Sequence, residues 1–261
     1  MAQTLTIYGY GKMARAIALG LNGRFPLEIT GRNQEKILAF IEENHLHAVY
    51  VPLKELSPAN RHIILCIKPH VLHECLRENR SLIPLESAQS AEAIYSILAG
   101  VSIEELRRAI PSKGYVRAMP NIAAELHASS TALCGDDSLK GFALTIFSTL
   151  GDALWLNQES KLNIATALTG GGPAYLALVA EALIDAGVRE GLSRDESASL
   201  TCTLFSGFSA LLQSRHPALI KEQVASPAGT TFEALALLER AGIRGSFIDA
   251  VHAATLKSRE H

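Results

Sequence analysis

The sequence has 261 residues, a length that fits two folded domains. Its composition, 48% hydrophobic and 19% charged, excludes an intrinsically disordered chain. A formal net charge of −2 gives no electrostatic reason to expect a nucleic acid or an anionic membrane as a partner.

The first 156 residues alternate between strand-like and helix-like segments. Strands are predicted over residues 5–8, 27–30, 62–67, 93–99, 114–117, 129–133 and 153–156. Helices are predicted over residues 13–21, 35–44, 103–110 and 138–150. Strands separated by helical crossovers predict an α/β domain over residues 1–156, with a parallel sheet of about eight strands covered on both faces.

The remaining residues, 157–261, show only helical periodicity. Helices are predicted over residues 162–167, 174–189, 194–214, 217–224, 231–241 and 246–258. The segment 174–189 is apolar on more than one face, since its large apolar side chains cannot all point into one small core: Tyr175, Leu176, Leu178, Val179, Leu183 and Ile184. A helix that is hydrophobic nearly all round must be buried centrally or against another subunit. We therefore predict an all-α domain over residues 157–261 that forms at least a homodimer.

A glycine-rich turn joins the first predicted strand to the first predicted helix. It consists of Gly9, Tyr10, Gly11, Lys12, Met13 and Ala14. In this context a Gly-x-Gly-x-x-Ala pattern is typical of a Rossmann dinucleotide-binding turn. Gly9 permits the tight turn, Gly11 lets the backbone approach a pyrophosphate, and the helix N-terminus offers unpaired N–H groups. The alternative is a glycine turn in a Rossmann-like fold that binds no dinucleotide.

The second predicted strand runs into Gly31, Arg32 and Asn33. An NAD enzyme usually has an acidic residue here, which holds the ribose 2′-hydroxyl. Arg32 can instead pair with a 2′-phosphate and stack on adenine. We therefore predict NADPH rather than NADH as the cofactor, with a solvated surface arginine as the alternative.

Three later segments are rich in glycine, proline and small polar residues. Residues 117–121 read Arg-Ala-Met-Pro-Asn, residues 169–175 read Thr-Gly-Gly-Gly-Pro-Ala-Tyr, and residues 226–231 read Ser-Pro-Ala-Gly-Thr-Thr. Together with residues 67–69 and 99–101, they resemble the pyrroline-5-carboxylate reductase family in order and spacing, over nearly the whole chain. The resemblance implies an NAD(P)H-dependent oxidoreductase acting on a CH–NH group. Such an enzyme reduces 1-pyrroline-5-carboxylate to L-proline, the last step of proline biosynthesis.

The resemblance also implies an architecture and a set of site residues. The expected architecture is a Rossmann domain followed by a helical dimerisation domain, with the active site completed between subunits and the dimers built into a larger ring such as a decamer. The implied cofactor contacts are Gly9, Tyr10, Gly11, Lys12, Met13, Cys66, Ile67, Lys68 and Pro69, to which we add Arg32. The implied substrate-binding residues are Ser226, Ala228, Gly229, Thr230 and Thr231.

Thr231 is the implied catalytic residue, because the resemblance places its hydroxyl at the ring nitrogen of the substrate. Either Thr230 or Thr231 is also predicted to cap the helix that follows, whose first N–H groups can receive an anion. A threonine that only caps the helix is the alternative for Thr231. The sequence departs from the family's usual residues at Gly171, Ala228 and Ile122-Ala123, which remove one hydroxyl and stiffen one loop.

The alternatives are another imine reductase or a β-hydroxyacid reductase of the same architecture, or a non-catalytic NADPH-binding regulator. The β-hydroxyacid reductases use a catalytic lysine in the long helix after a glycine-rich stretch, and residues 174–187 contain no lysine. A non-catalytic NADPH-binding regulator would keep the nucleotide turn without the substrate loop, and the presence of Ser226 and Thr231 argues against it. His70 and His73 can share one helical face, but no third ligand is near them in sequence, so we predict no metal site.

The sequence also carries signals about location. The four cysteines lie far apart without a Cys-x-x-Cys pair, which is typical of reduced intracellular thiols. The first residues lack a secretory signal pattern. No apolar stretch reaches the roughly 20 residues of a membrane span. We therefore expect a cytoplasmic protein with no membrane segment.

Overall fold

A computed structural model describes residues 3–78, 82, 90–227 and 229–259. The chain forms two units: residues up to Gly170 together with the segment from Ala254 onward, and Gly171–Ala253. The predicted boundary after residue 156 therefore falls earlier than the division between these units. The reason is a small core in which Leu162 is buried with Met119 and neighbouring residues of the sheet, so the first helix after the sheet belongs to the first unit.

The first unit is built on eight strands and six helices among the residues described. The strands are β1 Leu5–Tyr8, β2 Leu27–Thr30, β3 Ala48–Tyr50, β4 His62–Leu65, β5 Ala93–Ser96, β6 Tyr115–Met119, β7 Ser129–Gly135 and β8 Gly151–Trp155. The helices are α1 Lys12–Leu21, α2 Gln34–Glu43, α3 Pro69–Arg77, α4 Ile103–Ala109, α5 Lys140–Phe147 and α6 Lys161–Ala165. A π-helical turn, Thr166–Gly170, follows α6.

The strands form one sheet in the order β3-β2-β1-β4-β5-β6-β7-β8. Strands β1 to β6 are mutually parallel, as predicted, but β7 pairs antiparallel with β6. The prediction of a wholly parallel sheet is therefore wrong. Residues 120–128, which join β6 to β7, are too short for a helical crossover, so the chain reverses direction. Strand β3 was missed because it has three residues at the sheet edge and exposes Val49.

Both faces of the sheet are covered. Every residue of β1, β4 and β5 is buried, as expected for central strands between two helical layers. One core cluster includes Ile17 of α1 and Ile37 of α2, and the other includes Leu72 of α3 and Leu106 of α4. The prediction of a Rossmann-type α/β domain is confirmed.

The helices that make up the second unit confirm the all-α prediction for this part of the chain. They are α7 Gly172–Arg189, α8 Arg194–Leu212, α9 Pro217–Val224 and α10 Thr230–Arg240, followed by α11 Ile243–Arg259, which ends in the segment assigned to the first unit. Helix α7 has no buried residue in the single chain. Large apolar side chains remain exposed, among them Leu178 at 65% and Leu200 at 62%. Such surfaces are typical of subunit interfaces.

One helix bears on the expectation that the protein has no membrane segment. Helical structure is continuous over Lys161–Arg189, which is 29 residues long with a mean hydropathy of 1.4 in its most apolar window. By length and composition alone this helix could cross a membrane. The sequence predicted two separate helices here, over residues 162–167 and 174–189; the π-helical turn extends the first as far as Gly170, and α7 begins at Gly172. Length and composition are weak evidence for a membrane span, because core helices of soluble proteins pass the same test.

Candidate functional site

The turn after β1 is held in place by Gly9. Its φ of +125° is a conformation that L side chains rarely adopt, and a Cβ atom there would lie 2.5 Å from the carbonyl oxygen of Cys66. The Gly9 N–H donates to the carbonyl oxygen of Thr30 at 2.9 Å. Gly9 therefore lets the turn pack against the ends of both neighbouring strands.

Gly11 has a different role. Its φ is −92°, and a Cβ there would have no described atom within 4 Å beyond its chain neighbours and the local helix backbone. It caps α1 without a side-chain hydrogen bond, and the first turn of α1 contains no acidic residue. The first N–H groups of the helix therefore remain open to an anion, with the positive end of the helix dipole behind them.

The ends of three neighbouring strands carry the predicted cofactor residues. Tyr10, Lys12 and Met13 follow β1, Arg32 follows β2, and Lys68 with Pro69 follows β4. Strands β2, β1 and β4 are adjacent and parallel, so their carboxyl ends meet at one edge of the sheet. In doubly wound folds this edge binds the ligand where the strand order reverses, which here is between β1 and β4.

Arg32 is exposed, and we find no ion pair to it among residues 3–78, 82, 90–227 and 229–259. Its neighbour Asn33 has a structural task, since its Oδ1 accepts a hydrogen bond from the Lys36 N–H at 3.0 Å and caps α2. The guanidinium of Arg32 thus keeps its donors for a ligand.

The segment after β4 combines a buried thiol with an exposed amine. Burial raises the pKa of Cys66, which keeps the thiol neutral, so the backbone at this position is the part available to a ligand. Lys68 is exposed as the N-cap residue of α3, and Pro69 occupies the first turn of that helix. The Lys68 amine is therefore exposed to solvent at the same edge of the sheet as the glycine turn after β1.

The predicted substrate loop lies in the second unit. Gly229, not a threonine, is the N-cap residue of α10, so the prediction that Thr230 or Thr231 caps this helix is wrong. The Gly229 N–H donates to the carbonyl oxygen of Ser226 at 3.0 Å, and a Cβ at Gly229 would lie 2.5 Å from the Ser226 Oγ. This tight turn starts the helix one residue early and moves both threonines into its first turn. Ala228 lies outside the described residues.

The corrected position of Thr231 bears on its chemistry. Thr231 is half-buried, and in the described part of the chain its hydroxyl has no hydrogen-bond partner. A capping threonine would have used its oxygen on the helix backbone. The hydroxyl of Thr231 is therefore free for a ligand, next to the open N–H groups of the first turn of α10.

Asn121 was not predicted as a site residue, yet it connects two of the three family segments, residues 117–121 and 169–175. Its Nδ2 donates to the carbonyl oxygen of Thr169 at 3.2 Å, while its Oδ1 accepts from the Ala123 N–H at 3.1 Å. Its own N–H donates to the Ser129 Oγ at 3.0 Å. Asn121 thereby ties the end of β6 to the π-helical turn, a connection that sequence spacing could not reveal.

The histidine pair of α3 has an acidic neighbour in α4. His73 lies 3.5 Å from the carboxylate of Glu105. Within the described ranges, no group of three His, Cys, Asp or Glu side chains is placed to hold a metal ion. The expected absence of a metal stays a prediction.

Comparison with known proteins agrees with this geometry. A family model described as "Pyrroline-5-carboxylate reductase dimerisation" matches residues 159–261, and one described as "NADP oxidoreductase coenzyme F420-dependent" matches residues 4–100. A pyrroline-5-carboxylate reductase of Helicobacter pylori (strain J99) is 38% identical, and the match covers 98% of this chain and 99% of that protein.

Solved structures give the same result. A pyrroline-5-carboxylate reductase from Coxiella burnetii superposes with a TM-score of 0.83 at 29% identity, covering 100% of this chain and 98% of that one. A pyrroline carboxylate reductase of Plasmodium falciparum with NADP bound superposes with a TM-score of 0.78 at 27% identity, covering 98% of each chain. With its Rossmann unit, its helical unit and these relatives along its full length, this chain belongs to the pyrroline-5-carboxylate reductase family.

Proposed function

We propose that this protein reduces 1-pyrroline-5-carboxylate to L-proline with NADPH as the hydride donor. The observation that carries the proposal is the 38% identity to a pyrroline-5-carboxylate reductase over 98% of the chain. The fold supports it, because α1 and α10 both begin at a glycine N-cap without a side-chain hydrogen bond. The first N–H groups of each helix can therefore bind an anionic group of the cofactor or the substrate.

The nucleotide turn fits a dinucleotide. The open space over Gly11 and the uncapped start of α1 suit a pyrophosphate, and the exposed Arg32 suits a 2′-phosphate. When bound, NADPH supplies the hydride that is added to the carbon of the C=N bond. Residues of the turn after β1, with Cys66, Ile67, Lys68 and Pro69 after β4, would hold and orient it.

The substrate loop performs the remaining tasks. In this proposal the N–H groups of Thr230 and Thr231, in the first turn of α10, bind the substrate carboxylate, and Gly229 forms the tight turn that places them. The Thr231 hydroxyl holds the ring nitrogen by a hydrogen bond, and this position lets it assist proton delivery as the amine develops. An iminium ion is already electrophilic, so orienting it and excluding water supply much of the catalysis.

The activity is tested by mixing the purified protein with NADPH and 1-pyrroline-5-carboxylate and following the loss of NADPH absorbance. We expect turnover with the imine and none with a panel of hydroxy and keto acids. Turnover with a β-hydroxyacid or its keto acid alone would replace the proposal with that reductase class. NADPH binding without turnover on any of these compounds would indicate a regulator instead.

The preference for NADPH over NADH is proposed from Arg32. We expect Arg32→Gln to lower kcat/KM with NADPH by about 10-fold, because one charge-assisted contact to the 2′-phosphate is lost. The kcat/KM with NADH should change less than about 2-fold, since NADH has no 2′-phosphate. Arg24→Gln, which removes the same charge from another exposed position, is the control and should leave both values unchanged. Equal losses with the two cofactors in Arg32→Gln would contradict the proposed contact.

The family model identifies the helical part of the chain as a dimerisation region, so the protein is an oligomer with a small-molecule substrate. We propose a homodimer whose interface is formed by the exposed apolar faces of α7 and α8, with dimers assembled into a ring such as a decamer. Burial against a second subunit would also account for the apolar surface of Lys161–Arg189 without a membrane.

We propose that the protein acts in the cytoplasm and binds neither nucleic acid nor membrane. In this proposal residues 1–156 bind NADP, and residues 157–261 bind the substrate and form the dimer.

A further inference from the structure

A cavity of about 260 Å³ lies within the first unit beside the middle of β6. Its wall includes Arg117, Glu159, Ser160, Asn163 and Arg259. None of these residues belongs to the nucleotide turn or the substrate loop, and the proposed reaction leaves them without a role. The cavity is therefore a candidate for a separate ligand.

Arg117 is the feature that points to a ligand. Its side chain is buried, with only 5% of the residue exposed. Its Nη1 donates to the Glu159 Oε1 at 2.9 Å. Its Nε and Nη2 are buried as well, and neither has a hydrogen-bond partner among the described residues. Buried N–H donors in native proteins are nearly always paired, so two orphaned donors on one guanidinium require an acceptor.

The two orphaned donors have a specific geometry. In a guanidinium group, Nε–H and Nη2–H lie along one edge and point in nearly the same direction. This edge matches the two oxygens of a carboxylate or a phosphate through a pair of parallel hydrogen bonds. The ion pair with Glu159 uses the Nη1 nitrogen and leaves both donors of that edge unpaired, on a side chain that lines the cavity.

The charge and the polar groups around the cavity also suit an anion. The carboxylate of Glu159 is already engaged, since its Oε1 also accepts from the Ile103 N–H at 2.9 Å. Arg259 adds a second positive charge, so the charged residues of the wall carry one net positive charge. In the described chain, the side chains of Ser160, Asn163 and Arg259 have no hydrogen-bond or ion-pair partner, which leaves their donors available.

We propose that this cavity binds one small oxyanion, held by Nε and Nη2 of Arg117 with Arg259 at its exposed side. A small carboxylate and inorganic phosphate share this chemistry. A bound anion would link β6 to α6 and to the end of α11, because Arg117, Ser160 and Arg259 belong to these three segments or adjoin them. Occupancy should therefore stabilise the first unit.

The proposal is tested by melting temperature in chloride, acetate and phosphate at equal ionic strength. Relative to chloride, we expect acetate, phosphate or both to raise the melting temperature of the wild-type protein until the site is saturated. Comparing the acetate and phosphate titrations identifies the preferred oxyanion. Arg117→Lys, which keeps the charge but loses the two-donor edge, should weaken the apparent affinity by about 10-fold. Arg259→Gln, at an exposed position that should not disturb folding, should weaken it by about 3-fold.

The matched control is Arg108→Gln, which removes the same charge from an exposed position of α4 outside the cavity wall. It should keep the wild-type response. An equal loss in Arg259→Gln and Arg108→Gln, or no saturable response in the wild-type protein, would overturn the proposal.

Crystals of the full chain soaked in selenate locate the anion directly. The anomalous peak is expected within hydrogen-bond distance of the Arg117 guanidinium. A peak only at the start of α1 would assign the anion response to the nucleotide turn and overturn the site at Arg117. Because neither experiment measures turnover, a failure here leaves the proposed reductase activity unaffected.

Discussion

A Gly9→Ala variant is expected to lose both stability and cofactor binding. An alanine would have to adopt a φ of +125° and place its Cβ 2.5 Å from the carbonyl oxygen of Cys66. That oxygen is backbone of the segment after a buried strand and cannot move without disturbing the sheet. Backbone strain and overpacking together should cost about 2–5 kcal/mol, which corresponds to a fall in melting temperature of roughly 5–15 °C. Calorimetry and titration with NADPH measure the two effects.

Gly11→Ala is the matched control for this experiment, because it adds the same methyl group two residues further along the same turn. Gly11 has a negative φ and open space at its Cβ position, so the variant should melt within about 3 °C of the wild-type protein. It should nevertheless bind NADPH about 10-fold or more weakly, since the methyl group occupies the space proposed for the pyrophosphate. Wild-type affinity in Gly11→Ala would contradict that placement of the cofactor.

Thr231→Ala is expected to slow the reaction without destabilising the protein. The hydroxyl is proposed to contact the ring nitrogen of the substrate, and the loss of one such contact in a site that excludes water should cost about 1–3 kcal/mol. This corresponds to a fall of about 5- to 150-fold in kcat/KM. Because Gly229 is the N-cap residue of α10, removing the Thr231 hydroxyl removes no cap. Steady-state kinetics and melting temperature separate the two effects.

Two variants serve as controls for Thr231→Ala. Thr231→Ser keeps the hydroxyl and should restore most of the activity. Ser193→Ala removes a real cap, since the Ser193 Oγ accepts from the Glu196 N–H at 3.3 Å in a capping box at the start of α8. It should cost about 0.5–2 kcal/mol of stability. Unchanged kcat/KM in Thr231→Ala, or a melting temperature as low as that of Ser193→Ala, would refute the assigned role.

The sequence was sufficient for features that depend on neighbouring residues. Short strand-like segments predicted β1 and β2 with the bounds found in the structure, and helical periodicity predicted the bounds of α9 equally well. The position of Gly9 and Gly11 predicted a glycine turn between a strand and a helix, which the structure places between β1 and α1. These predictions succeed because local hydrogen bonding and side-chain periodicity largely determine such elements.

Features that depend on the path of the chain in space required the tertiary structure. The antiparallel pairing of β7 with β6 follows from the short connection between them, whereas the sequence patterns predicted the two strands without their relative direction. Gly229 displaces the threonines as the helix cap because a tight turn with Ser226 starts α10 one residue early. The ion pair of Arg117 with Glu159 joins residues 42 positions apart, so no local pattern could predict it or the donors left over.

The sequence by itself therefore determined the fold class, the family and the glycine turn after β1, because short patterns of residues are sufficient to recognise each of them. The tertiary structure decided which backbone and side-chain groups are already occupied. It assigned Gly9 to packing against Cys66 and left Gly11 open for a ligand. It showed that the Thr231 hydroxyl does not cap α10 and that two buried donors of Arg117 have no partner among the described residues. A donor or acceptor can be recognised as free only when every neighbour that could pair with it has been placed in space.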